Sequence, residues 1–321
     1  MYTIYTTLCA AALLGQAPDS LGPYLRTHGR PALDAVAAAA RDHPVILVGD
    51  VHPAAAPKRL IAALVTRLAS DGRLSALGLE VPMTEQPAID AYLASDPEDI
   101  AILEDHPTLL RAIWGVSREY LEIYRAVWEA NRGRGANDRV RILGLDVPAG
   151  PPVAGSRQEA LARYVNRDAV MEETVRRWRE GHPDGRLLVF LGDLHILKGV
   201  EARLELDGTF DRLIPLAARL AKRWPGHVYT ALSDAAVAGH PDGATRVFPD
   251  ARRVLGDPSA PEAMAVTGPL AKVSAPLHVE TSPGGPIIDI LPPSYTLAEV
   301  ADLYVYFGTS PPLTPLGPGS P

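Results

Sequence analysis

The sequence predicts an α/β fold, with a central, mainly parallel sheet flanked by helices. Four short apolar runs each end in small or acidic residues: 44–50 (PVILVGD), 75–82 (SALGLEVP), 139–148 (RVRILGLDVP) and 186–193 (RLLVFLGD). Nearly continuous Val, Ile and Leu without alternation is typical of strands that a parallel sheet buries on both faces. Because helical segments separate these runs, the strands are expected to be parallel and joined by right-handed crossovers.

Three segments between and after the strands have apolar residues at helical spacing. These segments are 58–70, 116–131 and 157–180. Their apolar positions recur every three or four residues, which is the pattern of a helix with one face in the core. The second segment and its approach carry aromatic residues that we expect to pack in the core rather than to stack on a ligand. They are Trp114, Tyr120, Tyr124 and Trp128.

The last third of the chain has a different composition. Residues 232–294 are rich in Pro, Gly, Ala and Asp, with short apolar pieces at 227–232, 277–280 and 286–291, and 301–308 is predicted to be the last strand. We therefore predict one α/β domain over 1–308, in which the last third, 225–308, is elaborated. The Pro- and Gly-rich tail, 309–321, is predicted to be disordered.

Composition excludes several classes of protein. The 321 residues are 47% hydrophobic and 21% charged, which is typical of a globular protein and not of a disordered one. The net charge of −7 gives no general surface for polyanions, so nucleic acid is not an expected partner. No run approaches 18 apolar residues, so no membrane span is expected. The oligomeric state is left open.

The N-terminal segment and the single cysteine bear on location. Arg26 is the first basic residue, so a signal peptide would lack its charged region. Leu8 is too large for the position before a lipidated cysteine at Cys9. We therefore expect a cytoplasmic protein. One cysteine also excludes an internal disulfide framework and a cysteine-based zinc site.

The ends of the four predicted strands repeat each other. ILVGDVH (46–52) and VFLGDLH (189–195) share Gly-Asp-x-His, and LGLEVP (77–82) and LGLDVP (143–148) share a carboxylate followed by Val-Pro. Ligands of parallel α/β sheets bind outside the carboxyl ends of the strands. We expect six side chains to meet there: Asp50, His52, Glu80, Asp146, Asp193 and His195.

Two imidazoles and several carboxylates fit two kinds of chemistry. His52 can deprotonate a water that Glu80 or Asp50 orients, while His195 stabilises an oxyanion or protonates the leaving group. Alternatively, the group binds a divalent metal ion (Mn, Co, Zn or Fe), and its water becomes the nucleophile. The candidate metal ligands are His52, Glu80, His195, Asp146 and Asp193.

Structural interpretations of the same residues stay open. The glycine of Gly-Asp-x-His permits a tight turn, and Asp50 or Asp193 can fix that turn or orient the histidine that follows. Arg167 and Asp168 belong either to a surface ion pair or to the crevice. The sequence has no Gly-x-Ser-x-Gly motif and no cysteine besides Cys9, so a covalent intermediate is not expected.

The order of these motifs resembles a known superfamily. Gly-Asp-x-His after the first strand precedes LGLEVP (77–82), a helix-and-strand stretch ending in LGLDVP (113–148), NRDAVMEETVRRW (166–178) and LLVFLGDLHILKG (187–199). This series, over about residues 30–200 together with ADLYVYFG (301–308), is similar to the Tiki/ChaN/erythromycin-esterase-like superfamily. In that superfamily, Tiki-like members are metal-dependent proteases, esterase-like members hydrolyse a macrolide lactone, and ChaN-like members bind haem.

The resemblance implies roles for individual residues. His52 corresponds to the general base or a metal ligand, Glu80 to an acidic partner, and His195 to the second histidine. Asp50 stands where the superfamily usually has Glu, so its side chain is one carbon shorter. We therefore expect a hydrolase that acts on an ester, lactone or amide of a small molecule or peptide through an activated water. The alternatives are a haem- or iron-binding protein without turnover, in which a His or Tyr ligates the iron, and a non-catalytic scaffold.

Overall fold

The structure is a computed structural model, which describes residues 21–112, 115–148, 157–206, 209–238, 255–256, 258, 260–273, 278–280, 287–291 and 295–316. Its strands are β1 (Arg30–Pro31), β2 (Val45–Asp50), β3 (Ala76–Pro82), β4 (Arg111–Ala112), β5 (Gly115–Val116), β6 (Arg141–Asp146), β7 (Leu187–Gly192), β8 (Glu201–Leu206), β9 (Thr209–Leu213), β10 (Val228–Val237), β11 (Glu262–Ala265), β12 (His278–Glu280), β13 (Ile287–Leu291) and β14 (Leu303–Ser310). Its helices are α1 (Leu21–His28), α2 (Ala32–Asp42), α3 (Ala55–Ser70), α4 (Gln86–Ala94), α5 (Ala101–Glu104), α6 (Pro107–Leu110), α7 (Arg118–Asn131), α8 (Arg157–Gly181), α9 (Leu216–Arg223), α10 (Gly268–Ala271) and α11 (Leu297–Val300).

Among the described residues, eight strands form the central sheet, in the order β1-β11-β14-β10-β2-β7-β3-β6. The six strands from β14 to β6 run parallel, and β11 is antiparallel to both of its neighbours. All residues of β2 and β7 are buried, as their continuous apolar sequences predict. The predicted α/β fold with a mainly parallel sheet is confirmed.

Helices cover both faces of this sheet. Buried side chains of α2, α3, α4 and α7 form the core on one face, and those of α1, α8 and α9 form the core on the other. The helix predicted over 116–131 begins at Arg118, because Ser117 caps it by accepting a hydrogen bond from the backbone N–H of Tyr120. Tyr124 is fully buried, as expected for core packing. None of the described helices is long and apolar enough to cross a bilayer.

The last third of the chain contributes to two sheets. The strands β10, β11 and β14 extend the central sheet, whereas β12 and β13 pair with β8 and β9 in a four-stranded antiparallel sheet. The apolar pieces predicted at 277–280 and 286–291 correspond to β12 and β13. The segments 239–254 and 281–286, and the N-terminal residues up to Ser20 that include Cys9, lie outside the described residues.

The prediction of a disordered tail from residue 309 is wrong for residues 309–316. The strand β14 continues to Ser310, and residues 311–316 (the C-terminal strap) lie across the N-terminal ends of α3 and α7. The backbone N–H of Ala55 donates to Pro311 O (3.0 Å), and that of Arg118 donates to Thr314 O (2.9 Å). The first N–H groups of a helix have no partner within the helix, so the strap satisfies them. Residues 317–321 lie outside the described residues.

Candidate active site

The four strands that carry the repeated motifs are neighbours in the sheet, in the order β2-β7-β3-β6. They are parallel, and Asp50 at the end of β2 lies opposite Gly192 at the end of β7. The residues that follow each strand therefore lie at one edge of the sheet. This topology brings His52, Glu80, His195 and Asp146 together.

His52 is paired with Asp50. Its Nδ1 lies 3.0 Å from Asp50 Oδ2, so Nδ1 donates its proton to the carboxylate. The proton on Nδ1 is assigned from this hydrogen bond, since an ionised carboxylate can only accept. The aspartate therefore reaches the histidine although it is one carbon shorter than the glutamate usual in the superfamily.

Asp50 is buried and has two further donors. Lys58 Nζ lies 2.5 Å from its Oδ1, and the hydroxyl of Tyr120 lies 2.9 Å from its Oδ2. Burial alone would raise the pKa of Asp50, but the charge of Lys58 and the contact with His52 outweigh it and hold that pKa below its usual range. Burial and the nearby carboxylate of Asp50 raise the pKa of Tyr120 well above normal, so Tyr120 keeps its proton and donates.

Glu80 lies between the two histidines. Its Oε2 accepts from the backbone N–H of Gly192 (2.8 Å), and its Oε1 accepts from Arg167 (2.7 Å). Burial would raise the pKa of Glu80, but His195 and Arg167 hold it well below its usual range. A methyl group added at Gly192 would lie 2.8 Å from His52 Nε2 and 3.4 Å from Glu80 Oε2. The absence of a side chain at Gly192 thus allows His52 and Glu80 to lie close to the end of β7.

His195 is held by a second aspartate. Its Nδ1 lies 2.8 Å from Oδ1 of the fully buried Asp168, which also accepts from the backbone N–H of Leu216. Burial lowers the pKa of His195, but the charges of Asp168 and Glu80 outweigh burial and raise it to about 10. His195 is therefore a cation at neutral pH. Its Nε2 lies 3.6 Å from Glu80 Oε1, which is longer than a normal hydrogen bond, so this N–H can donate to another acceptor.

The other predicted carboxylates have separate partners. Arg167 binds both oxygens of Asp146 at 2.9 and 2.7 Å, in addition to Glu80. Asp193 instead accepts a hydrogen bond from the backbone N–H of Ser233 on β10 (3.3 Å). Arg167 and Asp168, for which the sequence left two interpretations, both belong to the site, where they hold Glu80 and His195 respectively.

Sequence reasoning missed two residues of the site. Tyr120 was expected only to pack, yet it also donates to Asp50. Lys58 was not singled out, although it lies on the apolar face of α3 in the same helical period as Ile61 and Val65. A lysine on the buried face of a helix requires an acceptor, since an unpaired buried ammonium is strongly unfavourable. That pattern could have identified Lys58 as a residue with a buried acidic partner.

The arrangement does not fit the expected metal ion. In the part of the chain that the structure describes, no three His, Cys, Asp or Glu side chains are placed to hold one. The guanidinium of Arg167 lies between Glu80 and Asp146, where a cation shared by the two carboxylates would bind. The metal ion therefore stays a prediction that the geometry does not support.

The space immediately beside His52 is small, and haem binding stays a prediction. The cavity beside His52 is lined by Asp50, Leu79, Glu80, Tyr120, Phe190 and Leu191 and has a volume of about 20 Å³. That volume suits one water molecule.

The raised pKa of His195 predicts a pH-dependent stability. A group whose pKa rises from the ordinary 6.5 to about 10 on folding stabilises the folded state fully below about pH 6.5, and this contribution is lost as pH rises through 10. We expect the free energy of unfolding, measured with urea, to fall between pH 7 and 10. Asp168→Asn should flatten that fall, because it removes the charge that contributes most to the raised pKa. An unchanged slope in this variant would contradict the assignment.

Comparisons with known proteins agree with the fold. No protein-family model matches the sequence, and a search of curated proteins finds no match. Among solved structures, a protein from Bacillus cereus is 11% identical, with a TM-score of 0.64 over 92% of this chain and 98% of that one. A succinoglycan biosynthesis protein is 12% identical, with a TM-score of 0.63 over 94% of this chain and 100% of that one.

An erythromycin esterase is also similar in structure. The EreC enzyme, determined as a mutant in its open conformation, is 11% identical, with a TM-score of 0.59 over 88% of this chain and 94% of that one. At these identities the likeness establishes the fold and not the activity. The chain shares the α/β fold of these three solved structures, one of which is an erythromycin esterase.

Proposed function

We propose that this protein is a hydrolase that cleaves an ester, lactone or amide with a water molecule activated by His52. The observation that carries the proposal is the Asp50–His52 pair, whose free Nε2 lies next to Glu80 beside a cavity of about 20 Å³. An aspartate that fixes the tautomer of a histidine leaves the opposite ring nitrogen available as a base, as in hydrolytic triads.

His52 would act first as general base and then as general acid. Its Nε2 takes a proton from water while the water oxygen attacks the carbonyl carbon of the substrate. The same proton then passes from Nε2 to the leaving oxygen or nitrogen, so His52 ends the cycle neutral. Asp50 stabilises the imidazolium formed in between, because it is already ionised and bound to Nδ1.

His195 would stabilise the negative charge that develops on the carbonyl oxygen. It is a cation at neutral pH, and its Nε2–H is 3.6 Å from Glu80, so it can turn to a substrate oxygen. Glu80 accepts a hydrogen bond from the water and so orients it. Arg167 and the N–H of Gly192 hold Glu80 ionised and in place, so it presents an acceptor rather than a proton.

The test is hydrolysis in isotopically labelled water. The protein is assayed against a panel of esters, lactones and amides that begins with macrolactones, since a structural neighbour is an erythromycin esterase. Under single-turnover conditions in H₂¹⁸O, we expect one ¹⁸O in the acid product and none in the protein. With substrate in excess, we expect no initial burst of product. A burst or a labelled protein carboxylate would contradict direct attack by water.

The same preparation separates the alternatives. An absorption spectrum with a Soret band in the protein as purified would favour the haem-binding alternative. Hydrolysis by the parent that disappears with chelators and returns with Mn²⁺, Co²⁺ or Zn²⁺ would favour a metal-dependent hydrolase. Hydrolysis that persists in chelators agrees with the proposal made here.

A further inference from the structure

Lys58 is an ammonium group inside the protein core. It lies in the first turn of α3 and is fully buried. An ammonium has three N–H donors, and three acceptors surround Lys58 Nζ: Asp50 Oδ1 at 2.5 Å, His52 O at 2.7 Å and Val51 O at 3.0 Å. The proposed chemistry gives this lysine no direct contact with the water or the substrate.

The backbone contacts fix the position of the ammonium. The carbonyl groups of Val51 and His52 belong to the Gly-Asp-x-His turn itself, so Lys58 is tied to the same turn whose carboxylate it binds. The ring of Tyr120 lies 5.5 Å from Nζ, and its hydroxyl binds the other oxygen of Asp50. Lys58 and Tyr120 thus hold Asp50 from two helices, α3 and α7.

These donors determine which direction the carboxylate faces. Asp50 Oδ1 is taken by Lys58, and Oδ2 is shared by Tyr120 and His52 Nδ1. Without Lys58, the carboxylate can rotate or accept a proton, and either change removes the acceptor that keeps the proton of His52 on Nδ1. The proton then moves to Nε2, and the base is lost.

We propose that Lys58 is a positioning residue: by holding Asp50 against the Gly-Asp-x-His turn, it keeps His52 in the tautomer and orientation in which Nε2 is free. The effect of Lys58 on the rate of hydrolysis rests on the proposed function, whereas its effect on the tautomer of His52 does not. The two parts are therefore tested by different measurements.

The first measurement is nuclear magnetic resonance of protein labelled with ¹⁵N-histidine. The His52 signal is identified by its loss in His52→Ala. In the parent it should show protonated Nδ1 and unprotonated Nε2. In Lys58→Met, which keeps the apolar stem, we expect signals of the Nε2-protonated tautomer. In Lys272→Met, which removes an exposed lysine at the end of α10, the parent signals should remain. Parent signals in a folded Lys58→Met protein would overturn the proposal, whether or not the protein hydrolyses anything.

The second measurement is a double-variant comparison of kinetics. Lys58→Met should lower kcat by about 10²-fold and change KM by less than about threefold, because the base is misplaced while substrate contacts are kept. If Lys58 acts through Asp50, then Asp50→Asn with Lys58→Met should have the kcat of Asp50→Asn alone, within about threefold.

The double variant also covers the case in which Lys58→Met does not fold. It contains neither buried charge, so it lacks the uncompensated carboxylate of the single variant. A kcat more than tenfold below that of Asp50→Asn would overturn the proposal, since Lys58 would then act apart from Asp50. If the parent shows no hydrolysis, the proposed function fails, and the resonance experiment alone decides the role of Lys58.

Discussion

Replacement of His52 by alanine should lower kcat/KM by about 10²–10⁴-fold, the range in which a positioned general base contributes. The variant keeps Asp50, Glu80 and His195 but has no group that can take the proton of the water. His227→Ala is the matched control. His227 is exposed and precedes β10, at the opposite end of the parallel strands, so its removal should leave kcat/KM unchanged.

The same substitution should leave stability nearly unchanged. Asp50 keeps its donors Lys58 and Tyr120, and the side chain of His52 packs at the rim rather than in the core. We expect the free energy of unfolding in urea to change by no more than about 1 kcal/mol. A large loss of stability, with activity per folded molecule preserved, would assign His52 to structure and remove it from the mechanism.

Arg167→Met should have the largest effect on stability. The guanidinium is the shared partner of Glu80 and Asp146, and its side chain is 15% exposed. Removing one partner of a mostly buried ion pair leaves uncompensated charge, so we expect the free energy of unfolding at pH 7 to fall by about 3–5 kcal/mol. Arg176→Met is the control, because Arg176 pairs with Glu173 and Glu180 on the surface of α8 and should matter little.

The loss of free energy of unfolding in Arg167→Met should depend on pH, because the guanidinium stabilises the ionised form of Glu80. Arg167 helps to hold the pKa of Glu80 well below its ordinary 4.5, so the stabilisation is present above pH 4.5 and is lost as pH falls through the lowered value. The difference between parent and Arg167→Met should therefore shrink when unfolding is measured at progressively lower pH. If the difference in free energy of unfolding does not depend on pH, the cause is lost packing of the arginine stem and not lost charge compensation.

This variant also tests the metal ion. Without Arg167, the carboxylates of Glu80 and Asp146 form an acidic pair that a divalent cation can bridge. In chelator-treated protein, added Mn²⁺ should raise the melting temperature of Arg167→Met, and Glu80→Gln in the same background should remove that rise. The parent should show no rise. A rise in the parent would restore the metal-dependent alternative.

The sequence predicts the sheet and the meeting of the motifs well, because both depend on local patterns. Apolar runs mark β2, β3, β6 and β7, and the carboxyl ends of parallel strands share an edge, so His52, Glu80 and His195 follow from their positions in the chain. The pairing of side chains is not local. The sequence leaves open whether Arg167 and Asp168 belong to the crevice, and it does not indicate which side chains they bind. The roles of these residues in catalysis stay predictions.

The tail was mispredicted for a related reason. Pro, Gly and Ser are typical of disordered segments, and the sequence of 309–316 does not show that two helix N-termini lie nearby with unpaired N–H groups. Leu313 and Leu316 pack against the core formed on one face of the sheet, and Glu119 on α7 accepts from the N–H and the hydroxyl of Thr314. Composition alone could not indicate these partners.

The C-terminal strap has a consequence for biosynthesis. It pairs Leu313 with Pro53, so some of the last described residues complete the start of α3, which was made early. The helices it joins carry Lys58 and Tyr120, the two residues that hold Asp50. A nascent chain that emerges from the ribosome can form β2 and α3 but cannot finish the surroundings of the Asp50–His52 pair until residue 314 is free of the exit tunnel. The surroundings of the site are therefore completed only after residue 314 has left the tunnel, and partial chains released before that point would lack these contacts.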